Sequence, residues 1–151
     1  MSRLAPAVLI ALFALPTAAH AAIKCTVAVP PFNFGNYWPG DPAPLDITGE
    51  VDVRCPGNGG QFTTTLSTGG SGTFAQRRMV RGPYLLRYNF YLNAARTIVW
   101  GDGTGGSLPV VNTKTQNGRE DFVLPVYGRV FPTQAVGGGL YNDDVLVTVI
   151  F

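Results

Sequence analysis

The chain has 151 residues, of which 46% are hydrophobic and 13% charged, enough for one domain with its own core. Once the N-terminal signal described next is removed, ten Lys and Arg stand against nine Asp and Glu, a net charge of +1. This near balance argues against nucleic acid and anionic membranes as partners, because both require a strong basic surplus.

The first 21 residues have the layout of a secretory signal peptide. Arg3 precedes an apolar run at 7–15, and the sequence AHA at 19–21 fits a small-residue cleavage site. The apolar run is shorter than the roughly 20 residues that a membrane-spanning helix needs, and the cleavage site disfavours a retained anchor. We therefore predict a cleaved signal peptide at 1–21 and one secreted domain at 22–151.

The mature chain alternates Gly- and Pro-rich turns with short runs of β-type periodicity, and it has no helical pattern. Pro125 favours an edge strand or a bulge for its run. The spacing predicts an all-β fold, a β-sandwich of immunoglobulin-like type. The six main strands are expected at 23–29, 45–55, 61–67, 85–92, 122–131 and 143–151, with short strands near 78–80 and 98–100.

Two cysteines, Cys25 and Cys55, are present in the mature chain. An even count in a secreted chain favours a disulfide over two free thiols, a metal site or a nucleophile. His20 is the one histidine of the sequence and lies in the signal, which argues against Ser-His-Asp and Cys-His catalysis and most zinc sites. We expect no enzymatic activity, no metal and no cofactor.

Other motifs favour structural roles. Residues 101–106 fit G-x-G-x-x-G, but no helical pattern follows, so a loop is expected instead of a dinucleotide site. The acidic pairs 120–121 and 143–144 consist of strand neighbours, which point to opposite faces and do not converge on a substrate. The basic cluster RRMVR at 77–81 favours a solvated strand or loop, and contact with an acidic partner is the alternative.

Four aromatic residues lie in the Gly/Pro-rich loop that follows the first strand. Phe32 and Phe34 are expected to pack in the core, whereas for Tyr37 and Trp38 core packing and exposed contact with a surface both remain open.

The last strand is apolar on both faces. Val145, Val147, Val149 and Phe151 share one face and are expected to point into the sandwich. The chain ends without a partner strand for this edge, although an immunoglobulin-like sandwich ordinarily has seven strands. An uncovered apolar edge promotes aggregation, so we expect another chain to cover it by strand addition.

Several segments, taken in order, resemble the spore coat protein U domain family, which includes subunits of archaic chaperone–usher pili. They are CTVAV, FNFGNY, GEVDVRCPG, TTTLSTGGSGTFAQRRM, LRYNFYLNAARTIVWGDG, VYGRVFPTQ and GLYNDDVLVTVIF, and together they span essentially the whole mature chain.

The resemblance implies an incomplete immunoglobulin-like β-sandwich that lacks its final strand. Family members are secreted through the periplasm of Gram-negative bacteria, where a periplasmic pilus chaperone first supplies a strand. An outer-membrane usher then exchanges that strand for the N-terminal extension of another pilin subunit. The products are cell-surface pili for adhesion and biofilm formation, and some relatives form spore coats.

Matched by position, the family's disulfide corresponds to Cys25 and Cys55. One wall of the acceptor groove corresponds to the last strand, with Val145, Val147, Val149 and Phe151. The first strand, with Val27 and Val29, is expected to form the opposite wall.

One feature departs from the pattern of a polymerising pilin. Only Ala22, Ile23 and Lys24 stand between the predicted cleavage site and Cys25. A donor strand needs about 5–6 residues. We therefore expect a tip or minor terminal subunit that accepts a strand without donating one. A free-standing secreted spore-coat-like or surface-binding protein is the alternative, and a secreted hydrolase is disfavoured.

Overall fold

A computed structural model describes residues 23–151, and the predicted signal peptide lies outside the described residues. The strands are β1 Thr26–Ala28, β2 Leu45–Cys55, β3 Gly60–Leu66, β4 Arg77–Arg81, β5 Tyr84–Tyr91, β6 Val110–Lys114, β7 Glu120–Val130 and β8 Val147–Ile150, with a 3-10 turn at Gly69–Ser71. They form two antiparallel sheets, with strand orders β1-β2-β7-β5-β4 and β6-β3-β8. This confirms the predicted all-β sandwich.

Most predicted strands match the structure within one or two residues, and β2 matches the predicted 45–55 at both ends. The first and last strands are shorter than predicted. The short strand expected at 98–100 is wrong, because Val99 and Trp100 form only isolated bridges, to Tyr91 and Leu108. One strand was not predicted: β6, a short strand that follows the Gly-rich loop and pairs with β3.

Pro125 lies in β7, which the sheet order places between β2 and β5. The prediction of an edge strand was therefore wrong for the strand as a whole. Locally, however, β2 pairs with all of β7 whereas β5 pairs only with Tyr127–Val130. At Pro125, β7 therefore pairs with β2 and not with β5. A proline, which has no N–H to donate, is tolerated at such a locally unpaired edge.

The core lies between the two sheets. Every second residue along a strand points inward and contributes to it. Trp100 is fully buried, and its indole Nε1 donates a hydrogen bond to the Thr64 carbonyl oxygen at 3.1 Å. Cys25 and Cys55 form the predicted disulfide, which ties the start of the domain to the end of β2. The other large buried side chains include Val51, Val53, Phe62, Leu66, Leu86, Tyr88, Phe90, Leu124, Val126 and Val130.

Phe32 and Phe34 pack on the inner face of the five-stranded sheet, as expected. Their rings contact each other edge to face, with centroids 5.5 Å apart. Two glycines make room for them: a Cβ on Gly49 of β2 would lie 2.3 Å from the Phe32 ring, and one on Gly128 of β7 would lie 2.8 Å from both rings. The loop after β1 is thereby fixed across the sheet.

The expectation that RRMVR is solvated is wrong for Arg77, which begins β4 and is fully buried. Its guanidinium donates to the carbonyl oxygens of Ser67 and Trp100 and to Asn89 Oδ1, at 2.6–2.9 Å. Burial lowers the pKa of Arg77. The local sequence does not distinguish Arg77 from the other basic residues of the cluster, because its burial depends on partners elsewhere in the chain.

We predict that Gly49→Ala and Gly128→Ala each destabilise the domain by about 1–3 kcal/mol, because the new methyl group displaces the Phe32 or Phe34 ring. Urea unfolding followed by tryptophan fluorescence measures this, with wild type and variants in the same soluble form. Gly40→Ala is the matched control, since a Cβ there meets no atom within 4 Å. Equal stability of all three variants would contradict the proposed packing.

We predict that Arg77→Met lowers the free energy of unfolding by about 3–5 kcal/mol, because it leaves buried oxygens of Ser67, Asn89 and Trp100 without their donor. The same unfolding measurement applies. Arg78→Met, a change at the neighbouring residue of β4, serves as control and is expected to cost less than about 1 kcal/mol. A small effect at Arg77 would show that these oxygens find other donors.

Candidate functional site: an open groove beside the last strand

The last strand, β8, lies at the edge of the three-stranded sheet. It pairs with β3 from Val147 to Ile150. The Ser67 amide and the Leu146 carbonyl oxygen, 2.9 Å apart, continue this pairing. Within the described part of the chain no strand pairs with the other side of β8. A row of backbone hydrogen-bonding groups is therefore free for another strand.

The segment before β8 crosses from one sheet to the other. Asn142 forms an isolated antiparallel bridge with Val80 of β4, in the five-stranded sheet. The Val80 amide donates to the Asn142 carbonyl oxygen at 2.8 Å. Burial then alternates without interruption from Tyr141 to Ile150, with the odd-numbered residues half-buried and the even-numbered ones exposed. The whole segment thus has the side-chain pattern of a strand.

Two adjoining cavities of about 520 Å³ and 840 Å³ lie between this segment and the loop after β1. We call the combined space the groove. In the smaller cavity, Val145 and Val147 form one wall, residues 29–32 and Phe34 form the opposite wall, and Val51 and Val126 belong to the floor. The lining residues that the two cavities share are Pro31, Phe32, Phe34, Met79, Tyr141 and Asn142.

Of the six residues expected to form the groove, the structure brings Val29, Val145 and Val147 together in the smaller cavity. Val149 packs on the core farther along β8. Val27 and Phe151 do not line either cavity and are 41% and 59% exposed, respectively.

The positions of Val27 and Phe151 have physical reasons. Val27 lies in β1, which pairs with β2 at the outer edge of its sheet. Phe151 lies beyond the last paired residue of β8, Ile150. Burial therefore alternates along the last segment as far as Ile150, but it does not alternate in β1, where all three residues are exposed.

The wall formed by Pro30–Phe34 was not predicted. A signal for it exists in the sequence: Pro30 and Pro31 have no backbone N–H to continue a ladder, so the chain leaves the sheet after β1. For Tyr37 and Trp38, the sequence left core packing and surface exposure open. The Tyr37 hydroxyl oxygen accepts a hydrogen bond from the backbone N–H of Gln134 at 2.7 Å. Trp38 is 71% exposed at the rim of the larger cavity.

A polar contact interrupts the apolar lining of the groove. The Tyr88 hydroxyl donates to Asp143 Oδ2 at 2.6 Å, and the Gly70 amide donates to Oδ1 at 2.8 Å. Burial, reinforced by the hydrogen bond to Asp143, raises the pKa of the Tyr88 hydroxyl far above its ordinary value, so it remains a donor. Asp143 is half-buried and Asp144 exposed, so the two neighbouring acids point to opposite faces, as predicted.

Among residues 23–151, neither a cluster of metal-ligating side chains nor a membrane-spanning helix is present. Between residues 23 and 151, no three His, Cys, Asp or Glu side chains are grouped so that they could hold a metal ion. In the same range, no helix is long and apolar enough to cross a membrane. The GDGTGG loop at 101–106 is followed by a β-bridge and by β6.

The sequence of the chain matches a known protein family. The sequence profile of the Spore Coat Protein U domain matches residues 11–148. Protein U of Myxococcus xanthus is 30% identical over 135 residues, which cover 79% of this chain and 70% of that protein.

The fold is also similar to one chain of a crystal structure, the pre-assembly complex of the chaperone CsuC and the tip adhesion subunit CsuE, from the archaic chaperone–usher Csu pili of Acinetobacter baumannii. The TM-score is 0.57 at 20% identity, over 86% of the present chain. The match spans 40% of the length of that chain, which is therefore considerably longer. From its sequence and its two-sheet immunoglobulin-like fold, the chain belongs to the Spore Coat Protein U domain family.

Proposed function

We propose that the mature chain is a secreted structural subunit of an archaic chaperone–usher adhesive pilus and that it functions by accepting a strand from another chain. The observation that carries the proposal is the groove itself, an apolar cleft directly beside the free edge of β8. The chemistry is one of assembly, without a catalytic step.

The incoming strand would lie next to β8, about 4.8 Å away, as a fourth strand of the three-stranded sheet. Its backbone would hydrogen-bond to the free edge of β8 between Leu146 and Ile150. Every second side chain would enter the groove between Val145 and Val147 on one side and residues 30–32 and Phe34 on the other. Backbone hydrogen bonds would supply much of the affinity, and the shape of the groove would select the apolar side chains.

The proposed partners are a periplasmic pilus chaperone, an outer-membrane usher and other pilin subunits. The similarity of the fold to a chain from a chaperone–subunit complex supports the chaperone and the pilins. The usher, the passage through the periplasm and the position on the cell surface of a Gram-negative bacterium follow from the family resemblance and complete the proposal.

We further propose that the subunit occupies a tip or other terminal position. Ile23, two residues before Cys25, is buried, and its side chain lies against Gly60. With Ala22 as the predicted first residue of the mature chain, a donor segment would have to include Ile23 and therefore remove it from the core. This burial supports acceptance of a strand without donation, and homopolymers formed by the purified mature chain would contradict it.

A free-standing secreted coat or surface-binding protein is the second candidate. The similarity to Protein U and the description of the domain as a spore coat domain favour it. The two candidates differ in what happens to the free edge of β8. A pilus subunit needs another chain to cover it, whereas a free-standing protein must remain soluble with the edge as it is.

Expression in a periplasm, with and without the matching chaperone, separates these candidates. A pilus subunit is expected to be soluble only as a one-to-one complex with its chaperone, as measured by size-exclusion chromatography. A stable monomer in the absence of the chaperone would contradict the proposal and favour the free-standing protein.

We predict that Val147→Lys abolishes co-purification with the chaperone, because it places a charge in the apolar wall of the groove. Thr148→Lys is the matched control: it adds the same charge one residue farther along, on the exposed face of β8, and should leave capture intact. Thiol titration should show the Cys25–Cys55 disulfide formed in both variants. Normal capture of Val147→Lys would contradict the groove assignment.

A further inference from the structure

The groove has a one-sided charge. Two carboxylates, Asp143 and Asp144, are among the residues that line the smaller cavity. All other described residues that line either cavity are apolar, aromatic or uncharged polar, and no Lys or Arg is among them. A partner that fills the groove therefore meets negative charge at Asp143 and Asp144 and an uncharged surface elsewhere.

Asp143 belongs to the inner row of the segment that precedes β8. The half-buried residues Tyr141, Asp143, Val145, Val147 and Val149 alternate with exposed ones. In this row Asp143 is the charged residue, and it stands directly before the two valines of the groove wall. A strand laid along β8 and continued beyond Leu146 thus reaches a position opposite Asp143 on its inner face.

The Asp143 carboxylate has room for a further donor. Its described contacts are the Tyr88 hydroxyl on Oδ2 and the Gly70 amide on Oδ1. Two carboxylate oxygens together accept about four hydrogen bonds, so roughly half of this capacity is unused. Among residues 23–151, no Lys or Arg nitrogen lies within 4.0 Å of Asp143 to form a salt bridge.

The nearest basic side chains of β4 are engaged elsewhere. The buried Arg77 guanidinium donates to oxygens of Ser67, Asn89 and Trp100. The Arg81 side chain lies against Gly139 and over the Tyr84 ring. The charge of Asp143 favours the charged form of the buried Arg77, but the two side chains form no salt bridge. When an apolar strand covers the groove, Asp143 therefore loses water without gaining an ion pair within this chain, and burial of a charge without a direct partner is costly.

We propose that the strand accepted by this chain carries a Lys or Arg at the position directly opposite Asp143, and that this pair selects the partner and fixes its register. This inference rests on the proposed strand-accepting function. Residues directly opposite on neighbouring strands have Cβ atoms about 4.5–5.5 Å apart, which brings a cationic side chain within reach of the carboxylate. A like charge at the same position would be repelled.

A covalent extension tests the pairing in a single chain. An Asn-Gly turn followed by a strand is appended after Phe151, so that the extension folds back along the free edge of β8 as a hairpin. Its inner positions are Val, except for the residue opposite Asp143, which is Lys, Gln or Glu. The thermal and urea unfolding midpoints of the three proteins are measured at low ionic strength.

We expect the order of stability to be Lys above Gln above Glu, with the unfolding equilibrium constants of the Lys and Gln forms differing by about three- to fivefold. High salt should reduce this difference. Asp143→Asn should abolish it. Asp144→Asn removes the same charge from an exposed neighbour and should retain it, which separates a direct pair from a general effect of negative charge.

Two outcomes would overturn the inference: equal stability of the Lys, Gln and Glu forms, or a Lys preference that survives Asp143→Asn or disappears in Asp144→Asn. The comparison of the three extensions leaves residues 22–151 unchanged, so it remains decisive even if Asp143→Asn fails to fold.

A further control separates this inference from the function on which it rests. An extension with Ser at all inner positions should stabilise the domain much less than the Val extensions. If the Ser extension performs equally well, strand acceptance itself fails. If only the Val extensions stabilise the domain but the charge makes no difference, strand acceptance stands and only the Asp143 pairing fails.

Discussion

The groove and the proposed function both depend on one feature, the one-sided pairing of β8. β3 supplies hydrogen bonds along one side of β8, and no described strand does so along the other. An edge with free backbone groups and an apolar inner row tends to pair with whatever strand it meets. In the proposed function, the groove beside this edge makes the pairing specific, because only a strand whose side chains fit the groove can bind.

Several contacts hold the groove in shape before any partner arrives. Phe32 and Phe34 fix the loop after β1 over the space left by Gly49 and Gly128. On the other side, the bridge between Asn142 and Val80 and the hydrogen bonds to Asp143 hold the segment that enters β8. A site already formed loses less conformational entropy on binding than one that must be ordered.

Backbone groups and side chains of the groove would contribute differently to recognition of a strand. Backbone groups along β8 can bind any extended chain, so they provide affinity without much selectivity. Selectivity must come from side chains, and the groove offers an apolar cleft with one carboxylate held by Tyr88 and Gly70. Burial raises the pKa of the Tyr88 hydroxyl, which therefore stays a hydrogen-bond donor to this carboxylate.

The residues alone were enough to predict the β periodicity, most strand positions, the disulfide and the apolar faces of the last strand. Alternation and turn residues encode these over a few residues. The tertiary structure alone decided the burial of Arg77, the wall formed by Pro30–Phe34, the exposure of Val27 and Phe151, and the pairing of β6. These depend on contacts between distant residues, such as Gly70 and Asp143, which are 73 positions apart. Local periodicity carries no information about such contacts, because the packing of the two sheets determines which distant residues meet.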